Sequence, residues 1–109
     1  MISIEEFDKV EVRAGTVVDV CINKKARKPA YKMTIDFGEG LGLKTSSAQI
    51  TELYQPEDLI NRQVICCVNL TPMHIGNVKS EVRVLGTESE QGVVLLTPTE
   101  TDKNGDRVF

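Results

Sequence analysis

A chain of 109 residues and 12.1 kDa has room for one domain over residues 1–109, and a monomeric globule of that mass exposes roughly 6,000 Å². With 40% hydrophobic, 27% charged and 5% aromatic residues, disordered and fibrous classes are excluded. Three cysteines, a single histidine and a net charge of −3 offer neither a disulfide framework nor a spaced metal-ligand set, so reduced core thiols and no metal are expected.

Met1 to Asp8 has neither a basic n-region nor an apolar h-region, and no apolar run approaches a membrane span, so a cytoplasmic protein without membrane insertion is expected. Ser3 and Glu6 have capping-box spacing for one helical turn through Phe7. Val10, Val12 and Ala14 then alternate with charged residues and start strand one, which continues past Gly15, read as a bend or bulge, to Val20. Strand two places Tyr31, Met33, Ile35 and Phe37 on one face and Lys32, Thr34 and Asp36 on the other. Gly38, Gly40 and Gly42 punctuate a hairpin into strand three, Leu43 to Ile50.

Pro56 then opens a short helix, with Glu57 and Asp58 beside its positive end. Gln63 to Leu70 reads as strand four, with Cys66 and Cys67 on opposite faces, and Lys79 to Leu85 as strand five. Val93 to Leu96 forms a short additional C-terminal strand, after which the chain is polar until Val108 and Phe109. This is an all-β chain: five strands with a helix between the third and fourth have the element order of an OB-fold barrel. That fold binds ligands on strands two and three and on the loops joining strands one to two and four to five.

The first of those loops carries the charge. Lys24, Lys25, Arg27, Lys28 and Lys32 give a local +5 with no acid among them, in a chain that sums to −3, so the remainder carries −8. Lys79 and Arg83 follow the second loop. Five contacts to single-stranded phosphates would give a salt slope of about −3.5, without sequence information. Stacking platforms are scarce: Tyr31 and Phe37 share the core face of strand two, which leaves Phe7, Tyr54 and Phe109.

Catalytic signals are weaker still. His74 stands alone as an exposed loop residue, and no base is placed to activate a hydroxyl of Thr45, Ser46 or Ser47, so Ser46 or Ser47 reads as lining a polar strand face. The three glycines lack the lysine and long helix of a phosphate cradle. No enzyme and no cofactor is expected.

Six pieces in order carry a family resemblance: KVEVRAG from Lys9, ARKPAYKMTIDFG from Ala26, SSAQIT from Ser46, then YQPEDLINRQV, VNLTPMHIG and SEVRVLG. Together they resemble the tRNA-binding-domain family, most closely its free-standing CsaA-type protein-export chaperones. The resemblance implies a non-catalytic OB-fold homodimer that binds unfolded or precursor protein segments, or else tRNA. Ala26 and Lys28 match the family's Ala-Asp-Lys motif, as do Asn69 and Ser80-Glu81 their own motifs. Arg27, Val82 and Arg83 depart from the tRNA-binding pattern and favour the chaperone branch.

Two ligands therefore compete for one face. In the peptide reading Lys28, Lys32, Asn69, Ser80 and Arg83 edge a groove. In the RNA reading Lys24, Lys25, Arg27 and Lys28 meet phosphates while Asn69 or Ser80 meets sugar or base. The homodimer is also suggested by the apolar Val93-Val94-Leu95-Leu96 run and by Val108-Phe109, which a small barrel can hardly bury alone.

Overall fold

The computed structural model describes all 109 residues, Met1–Phe109. Its central strand, β1 (Val12–Ile22), serves two partners in succession. Val12 to Thr16 pair with β4 (Gln63–Cys67), and Thr16 to Ile22 pair with β2 (Tyr31–Asp36), so Thr16 has partners on both sides, Gln63 and Asp36. A strand that changes partner midway must curl, and curling turns the sheet into a barrel.

The register slips between Val17 and Asp19, which makes Val18 the bulge. Gly15 does not hold it, contrary to the sequence expectation. A Cβ on Gly15 would lie 2.7 Å from Ile35 Cγ2 and 2.8 Å from the Phe37 ring, so the glycine is there to let β1 cross the core closely.

Strand β3 (Leu43–Ala48) pairs with β2, and β7 (Arg83–Val84) pairs with β4, giving the order β3-β2-β1-β4-β7. The two ends of this sheet meet where the Glu81 and Val82 N–H groups donate to the Thr45 carbonyl at 2.8 and 3.4 Å. The result is a nearly closed five-stranded barrel with the predicted all-β architecture. Its core holds Val17, Met33, Ile35, Phe37, Leu59, Val64 and Cys66, all essentially inaccessible. Tyr31 is also in the core, and its hydroxyl donates to the Tyr54 carbonyl at 2.8 Å.

Short helices flank the barrel. In α1 (Ile4–Phe7) the Ser3 and Glu6 capping box forms as expected, α2 (Gly38–Leu41) is one turn in place of a plain hairpin, and α3 (Pro56–Leu59) starts on Pro56. Strand three stops at Ala48 and not Ile50, strand one starts at Val12 and not Val10, and strand four stops at Cys67 and not Leu70.

The expected strand five, Lys79 to Leu85, is broken at Glu81 and Val82. Its first part is β6 (Val78–Ser80), which forms a hairpin with β5 (Met73–Ile75), and its second part is β7. The added C-terminal strand is present as β9 (Gly92–Leu95), but it pairs with an unforeseen β8 (Gly86–Ser89). The chain end supplies β10 (Arg107–Val108), which joins β1 through Val12 and Arg13.

Candidate ligand-binding face

Cross-strand neighbours point to the same side of a sheet. Cys21, Lys32 and Ser47 form one row across β1, β2 and β3 on the outer face, and Asp19, Thr34 and Thr45 form the next. The basic loop leaves β1 beside the first row. Its root is Asn23, buried although it is an amide.

The Asn23 backbone N–H donates to Ala30 O at 2.9 Å and closes the loop. The side-chain Nδ2 donates to Ser47 Oγ at 3.0 Å and to Ile75 O at 2.8 Å, tying the loop to β3 and to the β5–β6 hairpin. Gly76 in the hairpin turn has φ +64°, and a Cβ there would lie 2.7 Å from the Lys25 carbonyl carbon. The two loops that the OB-fold order singled out therefore pack against each other.

Lys24, Lys25, Arg27, Lys28 and Lys32 are all exposed. The only ion pairs are Arg13–Glu11 at 2.6 Å and Arg107–Asp8 at 3.9 Å, so no carboxylate neutralises the loop. Lys24, Lys25 and Lys32 share the wall of a cavity of ≈ 310 Å³ with Cys21, Ile22, Asn23, Asn77 and Val78.

The hairpin carries Lys79, exposed and opposite His74, which lies in β5 and not in a loop. Ser80 Oγ accepts the Ser47 N–H at 3.0 Å, so its hydroxyl fastens the hairpin to β3. Glu81 continues that seam: its Oε1 accepts the Thr45 N–H at 3.1 Å and shares the Thr45 hydroxyl, at 3.0 Å, with Lys79 O at 2.7 Å. The Thr45 backbone N–H holds the Glu81 carboxyl below its ordinary value of 4.5, helped by the Thr45 hydroxyl, Lys44 and Lys79 against a partial loss of water.

Asn69 and Arg83 lie elsewhere on the barrel. The Asn69 amide donates to Lys9 O at 2.7 Å and accepts the Glu11 N–H at 2.9 Å, and Arg83 pairs with Cys67, the neighbour of Val12. Both adjoin the start of β1, whereas the basic loop follows its end. Lys24, Lys25 and Lys32 are thus brought together, Lys79 and Ser80 stand on the adjoining hairpin, and Asn69 and Arg83 stand apart.

Sequence reasoning missed the roles of Asn23, Thr45 and Glu81 in holding the face together. Nothing in an isolated Asn after a β run marks it as a buried tie, and the Thr45–Glu81 pairing joins residues 36 positions apart.

The thiols divide as well. Cys66 and Cys67 are buried as expected, and burial, with the neighbouring Cys67, pushes the Cys66 thiol up to about 12. Cys21 is exposed, which corrects its expected place in the core. Of the hydroxyl run, Ser46 is buried opposite Met33, while Thr45 and Ser47 are used in the seam; the polar strand face belongs to Ser47.

The family model described as "Putative tRNA binding domain" matches residues 12–107. Two solved structures, the CsaA chaperone protein of Picrophilus torridus and chaperone CsaA of Bacillus anthracis str. Ames, are each 45% identical to this chain. They superpose with TM-scores of 0.95 and 0.92, covering 100% of this chain and 100% and 99% of theirs. Methionine–tRNA ligase of Pyrococcus furiosus is 34% identical over 107 residues, which are 98% of this chain but 14% of the ligase. The chain thus spans a small fraction of such ligases.

Proposed function

The chain belongs to the tRNA-binding-domain family, and on that premise we propose that it is a non-enzymatic homodimeric chaperone of the CsaA type that holds unfolded or precursor polypeptides for export. It would act in the cytoplasm as one domain, without a cofactor. The observation that carries this reading is the make-up of the face. Cations stand beside exposed aliphatic surface, Ile22 above all, while Tyr31 and Phe37, the aromatic side chains of β2 and its end, are in the core. Such a surface suits an extended chain with apolar and polar side chains better than it suits bases, which need rings to stack on.

The mechanism is passive: transient cover of apolar segments favours the bound, unaggregated chain by mass action. Lys24, Lys25, Arg27, Lys28, Lys32 and Lys79 would contact the client. Asn69, Ser80 and Arg83, two of them with side chains engaged in the fold, would shape the surface around them. A second reading, tRNA on the same cations, is favoured by the unpaired +5 loop.

The accessible surface, 7378 Å², exceeds the roughly 6,000 Å² of a monomeric globule of this mass, and Phe7, Val10, Val108 and Phe109 are exposed. These favour the dimer. The test is suppression of aggregation of a denatured precursor, run beside sedimentation of the protein alone. Protection by a species of twice the chain mass is expected; no protection, or a monomer at micromolar concentration, would refute the corresponding part.

A further inference from the structure

We infer that the cavity at the root of the basic loop is a subsite for an acidic side chain of a bound polypeptide, an inference that rests on the chaperone reading above. Three of its eight lining residues are Lys24, Lys25 and Lys32, and no carboxylate is among the rest. None of the three takes part in an ion pair. Three cations around one space of ≈ 310 Å³ repel each other until an anion enters.

Asn23 narrows the choice of anion. It lines the same cavity and is only 5% exposed, and both Nδ2 hydrogens are committed to Ser47 Oγ and Ile75 O. Its Oδ1 is the one buried side-chain polar atom of the protein without a hydrogen-bond partner. A buried acceptor without a donor is an energetic liability, and a ligand N–H relieves it once the basic loop shifts enough to uncover the atom. A phosphate group brings only acceptors at neutral pH, whereas an acidic residue in an extended chain brings a carboxylate and peptide N–H groups together.

The apolar part of the wall agrees. Ile22, 62% exposed, puts aliphatic surface beside the lysines, so an acidic residue next to an aliphatic one would fill both halves. The rest of the chain, at −8, repels such a segment. Acidic clients are therefore steered to this one place, and their register along the face is fixed by the carboxylate.

Cys21 makes the cavity observable, since it lines the wall and is the exposed thiol while Cys66 and Cys67 are buried. An extended apolar peptide with a single Glu and its Gln counterpart are titrated against the full chain. Affinity and the rate of Cys21 alkylation by iodoacetamide are both read. The Glu peptide is expected to bind about tenfold tighter and to slow alkylation. That advantage should vanish in Lys32→Gln and in Lys24→Gln, two exposed positions whose replacement leaves the core intact.

Equal binding and equal protection by the two peptides would overturn the acidic subsite and leave the chaperone reading standing. Binding of neither, with Cys21 fully reactive, would remove the chaperone reading and the subsite with it. Protection of Cys21 by a short single-stranded RNA but not by the Glu peptide would give the cavity to nucleic acid and overturn the inference.

Discussion

Thr45 and Glu81 close the barrel by an exchange that is half backbone and half side chain. The Glu81 N–H donates to Thr45 O at 2.8 Å, and in return the Thr45 N–H donates to the Glu81 carboxylate at 3.1 Å. A carboxylate thus stands where a strand partner's carbonyl would be. It satisfies the outward N–H of a strand that would otherwise present an open edge.

Glu81→Ala should cost about 1–2 kcal/mol, the lower part of the range for hydrogen bonds to charged groups because the site is partly solvated. The folded-state pKa of Glu81 is lowered, so its contribution is complete above the ordinary value of 4.5 and is lost as pH falls through the folded value. Urea unfolding at neutral pH and again well below pH 4.5 should show the difference between wild type and Glu81→Gln shrinking on acidification. A difference that is constant or grows would remove the carboxylate from the seam.

Asn23→Ala leaves Ile75 O without its donor and frees the loop from β3. A loss of about 1–3 kcal/mol is expected, with faster amide exchange in residues 23–30 and little change in β4. Exchange that rises evenly over the whole chain would mean that Asn23 supports the core and not the loop.

Gly76→Ala combines a positive φ with a Cβ 2.7 Å from the Lys25 carbonyl carbon. It should destabilise by about 1–2 kcal/mol and weaken client binding, because the basic loop has to move away from the hairpin. Gly40→Ala, whose Cβ would meet nothing within 4 Å, is the control. Equal client affinity in the two variants would contradict the packing of the loops.

Native alkylation followed by mass spectrometry should add one group, on Cys21. Cys66, pushed up to about 12, and buried Cys67 should react only after unfolding. Two or three adducts at native speed would show that β4 opens readily.

The sequence pattern was most legible where a strand has one dry face and one wet face. The Tyr31–Phe37 alternation is visible because each inward residue is large and apolar and each neighbour is not, and the order of five such runs led to the barrel. Gly86–Ser89 is exposed at every position, and Arg107–Val108 is two residues long, so both are strands only because of their partners, and no local pattern announces them.

The bulge departs from the glycine for a related reason. Glycine is the usual sign of one, but Gly15 answers to the crowding of Ile35 and Phe37, and β-branched Val18 carries the slip. For the candidate face, charge made the loop visible, while its support by Asn23, Ser47, Ile75 and Gly76 depends on contacts between distant segments.

The reading of the face as a polypeptide-binding surface built on the basic loop is tested most directly by titrating an unfolded precursor segment against the wild type and a variant with Lys24, Lys25, Arg27 and Lys28 changed to alanine, with bulk tRNA titrated in parallel. The wild type should bind the segment, and the variant, folded to the same stability, should bind it at least about tenfold more weakly. Undiminished binding of the segment by the variant, or binding of tRNA alone by the wild type, would contradict it.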